Sequence, residues 1–83
     1  MEKLLIHLYI PAVQKNFDLF LPQEIPIEQI VQALSKGVQE LSRERYAISG
    51  QEMLLQEGAI APLSPKETLY QYGVRDGDKL LLI

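Results

Sequence analysis

The 83 residues, 47% hydrophobic and 23% charged, suit one small globular unit, because chains of this size rarely divide into separate domains. There is no cysteine, which removes disulfides, thiolate metal sites and thiol nucleophiles together, and the single histidine, His7, builds no metal site alone. A formal charge of −3 argues against a nucleic-acid partner, since phosphate binding is dominated by clustered cations.

The opening Met1-Glu2-Lys3 with Leu4 to Ile10 fails as a signal peptide, because the apolar run is short, broken by His7 and followed by no small-residue cleavage site. No stretch approaches the ~18–20 apolar residues of a membrane helix. The expectation is a cytoplasmic protein without direct membrane insertion.

Residues 3–10 alternate, with Leu4, Ile6, Leu8 and Ile10 on one parity and Leu5, His7 and Tyr9 on the other. Such a period-2 pattern rich in aliphatics predicts a strand whose first set faces the core. After a polar connection from Pro11 to Asn16, residues 17–21 alternate again, with Phe17, Leu19 and Leu21 opposite Asp18 and Phe20. Two alternating runs this close predict a hairpin. From Ile27 the period changes: Ile27, Ile30, Val31, Leu34, Val38 and Leu41 form one helical stripe, leaving Ser35, Lys36 and Gln39 largely outside it. Pro26 suits the first helical turn and Glu28 complements its positive end. Gly37 within the helix costs about 1 kcal/mol relative to Ala, and close approach to the sheet is its expected reason.

Residues 42–52 are polar, with Arg43, Glu44 and Arg45 read as a solvated helix exit. Met53-Leu54-Leu55 is a short strand with Leu54 inward. Residues 67–72 suit one helical turn with Leu69 and Tyr72 tucked in. Gly73 to Asp78 then turns into a last strand, residues 79–83, with Leu80 and Leu82 toward the helix and Leu81 and Ile83 away from it. The order β-β-α-β-β implies an α+β layout, with one helix packed across one face of a four-stranded mixed sheet.

This order resembles the ubiquitin-like β-grasp fold over the whole of residues 1–83, as a single domain. The stretch Thr68-Leu69-Tyr70-Gln71-Tyr72-Gly73-Val74-Arg75-Asp76-Gly77-Asp78-Lys79-Leu80-Leu81-Leu82 looks like the family's Thr-Leu, Tyr, polar turn and alternating final strand. Phe17-Asp18-Leu19 and Ile25-Pro26-Ile27 are similar to the second strand and helix start of the YukD/EsaB-type proteins of Gram-positive bacteria. That resemblance implies a non-catalytic accessory or regulatory component of a type VII (ESX-like) secretion system, meeting secretion-machinery subunits or another copy of itself. Two alternatives stand beside it. One is a ubiquitin-like modifier or sulfur carrier, which needs a flexible Gly-Gly terminus where this sequence has Leu82-Ile83. The other is a β-grasp domain excised from a larger membrane protein.

Asp76-Gly77-Asp78 offers too few oxygens for calcium, which takes six to eight, and reads as a turn. His7 has no nucleophile or carboxylate at motif spacing and sits on the outer parity. Gly73 and Gly77 open no helix and form no phosphate loop. No catalytic, cofactor-binding or metal-binding residue is expected. In a β-grasp sheet the last strand lies between the first and third, so Leu5, Leu55, Leu81 and Ile83 are expected to meet on the outer face. There they would form a protein-interaction patch like the one ubiquitin presents at its third and fifth strands.

Overall fold

The computed structural model describes residues 2–43 and 45–83; Met1 and Glu44, named above in the N-terminal and helix-exit readings, lie outside them. The elements are β1 (Lys3–Ile10), β2 (Lys15–Pro22), α1 (Ile27–Leu41), β3 (Leu54–Gln56) and β4 (Asp78–Leu82). The strands form one sheet in the order β2-β1-β4-β3. β1 pairs antiparallel with β2 and parallel with β4, and β3 pairs antiparallel with β4. This is the expected mixed four-stranded sheet with one helix. The second strand starts at Lys15 rather than Phe17, because the connection closes as a tight turn with Val13 N–H bonded to Ile10 C=O.

Period-2 alternation puts Leu4, Ile6, Leu8 and Ile10 of β1 and Leu80 and Leu82 of β4 into the core, with Leu54 of β3 beside them. Ile27, Ile30 and Val38 of α1 meet them, and Val31 and Leu34 pack half-buried at the margin. Two helix positions depart from the expected stripe. Ser35 is buried while Leu41 is 72% exposed. Leu41 instead borders a surface cleft with Ala12, Val13 and Lys15 of the β1–β2 connection. Gly37 departs as well: a Cβ built there meets nothing within 4 Å, so close packing on the sheet is not its role.

The helix start is closed by backbone from a distant segment. Pro26 is the N-cap and provides no side-chain bond, so Ile27 N–H donates to Glu67 C=O (2.8 Å) and Glu28 N–H to Pro65 C=O (3.0 Å). Two of the orphan amides of the first turn are thereby satisfied, and residues 65–67 are pinned beneath the helix. The following turn is locked by a reciprocal pair, Thr68 N–H to Gln71 Oε1 (2.8 Å) and Gln71 N–H to Thr68 Oγ1 (3.2 Å), which is capping-box chemistry. It presents Leu69 to the core at 0% exposure. Tyr72 is turned outward at 39% exposure, not tucked in, and its hydroxyl instead accepts the Ser64 N–H at 2.8 Å.

Candidate functional site: the outer face of the sheet

The helix covers one face of the sheet and leaves the other open, and strand register fixes which side chains meet there. Leu55 lies opposite Leu81, and Leu81 opposite Tyr9, which makes one apolar row across β3, β4 and β1. Beyond it Met53 and Ile83 exchange backbone hydrogen bonds (2.8 and 2.9 Å). Their side chains are 42% and 47% exposed on the same face. Three of the expected patch residues, Leu55, Leu81 and Ile83, are therefore brought together, with Met53 and Tyr9 added. Both additions follow from parity once the pairing is known, but the pairing itself is a long-range property that no local pattern encodes.

Leu5 is the exception. It lies opposite Phe20 of β2, and its carbonyl accepts the Gly77 N–H at 2.8 Å. Parallel register sets Tyr9, four residues further along β1, beside Leu81, so Leu5 sits about 13 Å from that row at ~3.3 Å per residue. The expected four-residue cluster is thus two clusters, Leu5 with Phe20 and Leu55 with Leu81 and Ile83. Between them runs a polar row: Asp18 opposite His7, His7 opposite Lys79, and Lys79 C=O bonded to Glu57 N–H at 3.0 Å. His7 Nδ1 and Asp18 Oδ1 are 2.5 Å apart, so His7 does have a carboxylate partner, supplied across the hairpin rather than at motif spacing.

The turn before β4 uses its acids on the backbone. Asp76 Oδ1 accepts the Leu5 N–H (2.8 Å), and Asp78 Oδ2 accepts the Arg75 N–H (2.9 Å). Gly77 holds φ +88°, a left-handed conformation that glycine takes without strain. These contacts tie the turn to the sheet's central strand and account for both carboxylates.

A second open region lies between α1 and the segment leading into β3, a groove of about 1110 Å³ bordered by Val31, Ser35, Ile48 and Glu52 among others. Glu52 organises its loop side. One carboxylate oxygen accepts the Ser49 N–H (2.6 Å) and Ser49 Oγ–H (2.9 Å), and the other the Gly50 N–H (3.1 Å). Burial works to raise its pKa, but the bonds from Ser49 and Gly50 stabilise the anion more and hold it below the usual carboxylate value. Tyr46 nearby is shifted upward, first by burial and then by the Glu52 charge. Ser35 Oγ is buried without a hydrogen bond of good geometry, although the Tyr46 hydroxyl is near enough to interact with it.

The comparisons with known proteins agree with this architecture. Residues 5–82 match the family model described as "WXG100 protein secretion system (Wss), protein YukD". The chain belongs to the YukD family. Among solved structures, the ubiquitin-like domain of the Mycobacterium tuberculosis type VII secretion protein EccD1 is similar at 22% identity and a TM-score of 0.78, covering 100% of this chain and 99% of that one. The ubiquitin-like domain of EccD5 from Mycobacterium xenopi gives 23% identity and 0.81, covering 100% and 94%. A chain of an ESX-5 inner membrane complex gives 21% identity and 0.82, with 100% of this chain matching 21% of that one. At such identities these structures establish the ubiquitin-like β-grasp fold. No curated protein sequence matches. This YukD-family chain is therefore a secretion-associated ubiquitin-like module, and among its described residues no helix is long and apolar enough to cross a membrane.

Proposed function

We propose that this chain is a non-catalytic, non-conjugated interaction module, a single ubiquitin-like unit over residues 1–83. In this reading it serves as a cytoplasmic accessory or regulatory component of a Gram-positive type VII secretion system. The observation that carries the reading is the family match over residues 5–82. The open sheet face supports it by offering an anchor for a protein partner: Leu55, Leu81 and Ile83, extended by Met53 and Tyr9. Apolar residues gathered on one exposed face favour association over isolated surface exposure. The partner expected is the cytoplasmic part of a secretion-machinery subunit. The Ile83 N–H and C=O both bond to Met53, which holds this end of the apolar row in the sheet.

The test is the double variant Leu55→Asp/Leu81→Asp. Both side chains lie off the core face, so circular dichroism should be unchanged. Binding to purified cytoplasmic domains of secretion-machinery subunits should weaken by about 3 kcal/mol or more, as two aliphatic anchors worth roughly 1.5–3 kcal/mol each are replaced by carboxylates that must be desolvated. A folded double variant that binds those domains as tightly as the parent would overturn the assignment of this face.

A further inference from the structure

The two sheet edges are unequal. β3 has three residues, and its outward groups are largely taken: Leu54 C=O accepts the Leu63 N–H (2.8 Å) and Gln56 C=O the Ala59 N–H (3.0 Å). β2 has eight residues at the opposite edge, and none of the described loop bonds reaches Asn16, Asp18 or Phe20. Its register shows which groups are spare. Gln23 N–H bonds to Glu2 C=O, and antiparallel pairs alternate between bonded and non-bonded, so Lys15, Phe17, Leu19 and Leu21 direct their backbone groups toward β1. Asn16, Asp18 and Phe20 then point N–H and C=O outward, and Pro22 points a carbonyl where no N–H is required of it. Such a row is a template for another strand.

We propose that β2 pairs antiparallel with β2 of a second copy of this chain, about a two-fold axis at Leu19, to give one continuous sheet. The strand's own chemistry suits this occupant and favours an axis at Leu19 over one at Asp18. Side chains stay on their proper faces only if directly opposed residues share parity, which centres the axis on a residue. Centring it on Asp18 sets two carboxylates directly opposite, which is unfavourable. Centring it on Leu19 opposes Asp18 with Phe20, and these two outward-pointing residues exchange backbone hydrogen bonds. The Asn16 N–H then meets the spare Pro22 carbonyl. On the core side Phe17 faces Leu21 and Leu19 faces its counterpart. Phe17 and Leu19 are the half-buried apolar residues of this strand, so pairing completes their cover. On the outer side the two Phe20 rings, 64% exposed in the single copy, become diagonal neighbours within aromatic reach. Lys15 of each copy lies opposite Gln23, one residue from Glu24 of the other.

This pairing uses the edge and leaves the Leu55–Leu81 row free, so it stands or falls separately from the function proposed above. Sedimentation of the full chain from micromolar to about 1 mM should show a concentration-dependent dimer, a range that captures even weak self-association. Phe20→Asp faces Asp18 of the other copy with a second carboxylate and should weaken the dimer about tenfold or more. Adding Asp18→Lys to it restores opposite charges across the axis and should recover the dimer. Leu55→Asp/Leu81→Asp should dimerise like the parent. With no substitution at all, the amides of Asn16, Asp18 and Phe20 should exchange with solvent more slowly as concentration rises. A chain monomeric at about 1 mM, a dimer unmoved by Phe20→Asp or not recovered by the added Asp18→Lys, a dimer lost in Leu55→Asp/Leu81→Asp, or concentration-independent exchange at those amides would each overturn the proposal.

Discussion

Gly37→Ala isolates one term of the helix's stability with little interference from packing. The position is in the middle of α1, half-buried, and an added Cβ meets no atom within 4 Å. Nothing has to move to admit the methyl group, so the overpacking cost of a core insertion does not arise. What is left is the intrinsic difference between glycine and alanine in a helix: less freedom lost on folding and a better-shielded backbone, worth about 0.5–1 kcal/mol in alanine's favour. For a domain of this size that corresponds to a rise in Tm of roughly 2–8 °C. Urea titration followed by circular dichroism, with the slope m unchanged between the two proteins, reads the difference directly. A variant less stable than the parent would show that α1 makes a close contact at Gly37 after all, and that the sequence-based expectation of tight helix–sheet approach was right. A stabilised variant with intact partner binding would show that neither fold nor docking needs glycine there.

Two further tests address the core and the loop. Leu69→Ala should cost about 2–5 kcal/mol, since Leu69 is wholly buried, while Leu34→Ala, at the half-buried margin of the helical stripe, should cost about 2 kcal/mol or less; equal losses in thermal melts would contradict that burial order. Glu52 has a lowered pKa in the folded state, so its contribution is complete above the ordinary carboxylate value of 4.5 and drains away as pH falls through the folded value. The stability gap between the parent and Glu52→Gln should therefore be widest at neutral pH and close in acid, and a gap independent of pH would remove Glu52 as the organiser of residues 49–52.

Most of the fold was legible in local patterns because those patterns report which face each element buries. The alternation in β1 and the 3.6-residue stripe beginning at Ile27 both reappear as core faces. What was not legible depends on contacts between distant segments. Ser35 is polar and reads as solvent-facing, yet its hydroxyl is buried with Tyr46 beside it, and only the packed chain reveals that. Leu41 continues the apolar period faithfully but is exposed, because period names a helix face and not how far the core extends along it. Tyr72 was expected inward on helical spacing; its hydroxyl is used by the Ser64 amide instead.

The candidate site shows the same division in sharper form. Parity alone put Leu5, Leu55, Leu81 and Ile83 on one face, and all four are there. Whether they touch depends on register, and register is set in one place by the Gly77-to-Leu5 backbone bond together with the Asp76 carboxylate on Leu5 N–H. Those two contacts fix Leu5 at the start of β4, while Leu81 lies near its end. The polar row of Asp18, His7 and Lys79 is then forced between the two apolar clusters, because each of its members pairs directly with the next. One outer face consequently presents two separate surfaces: an apolar β3–β4 corner, and a Phe20-bearing margin that belongs to the open edge. A molecule built this way can pair along β2 and still leave its Leu55–Leu81 row accessible, so self-association and recruitment to a larger assembly need not compete for the same residues.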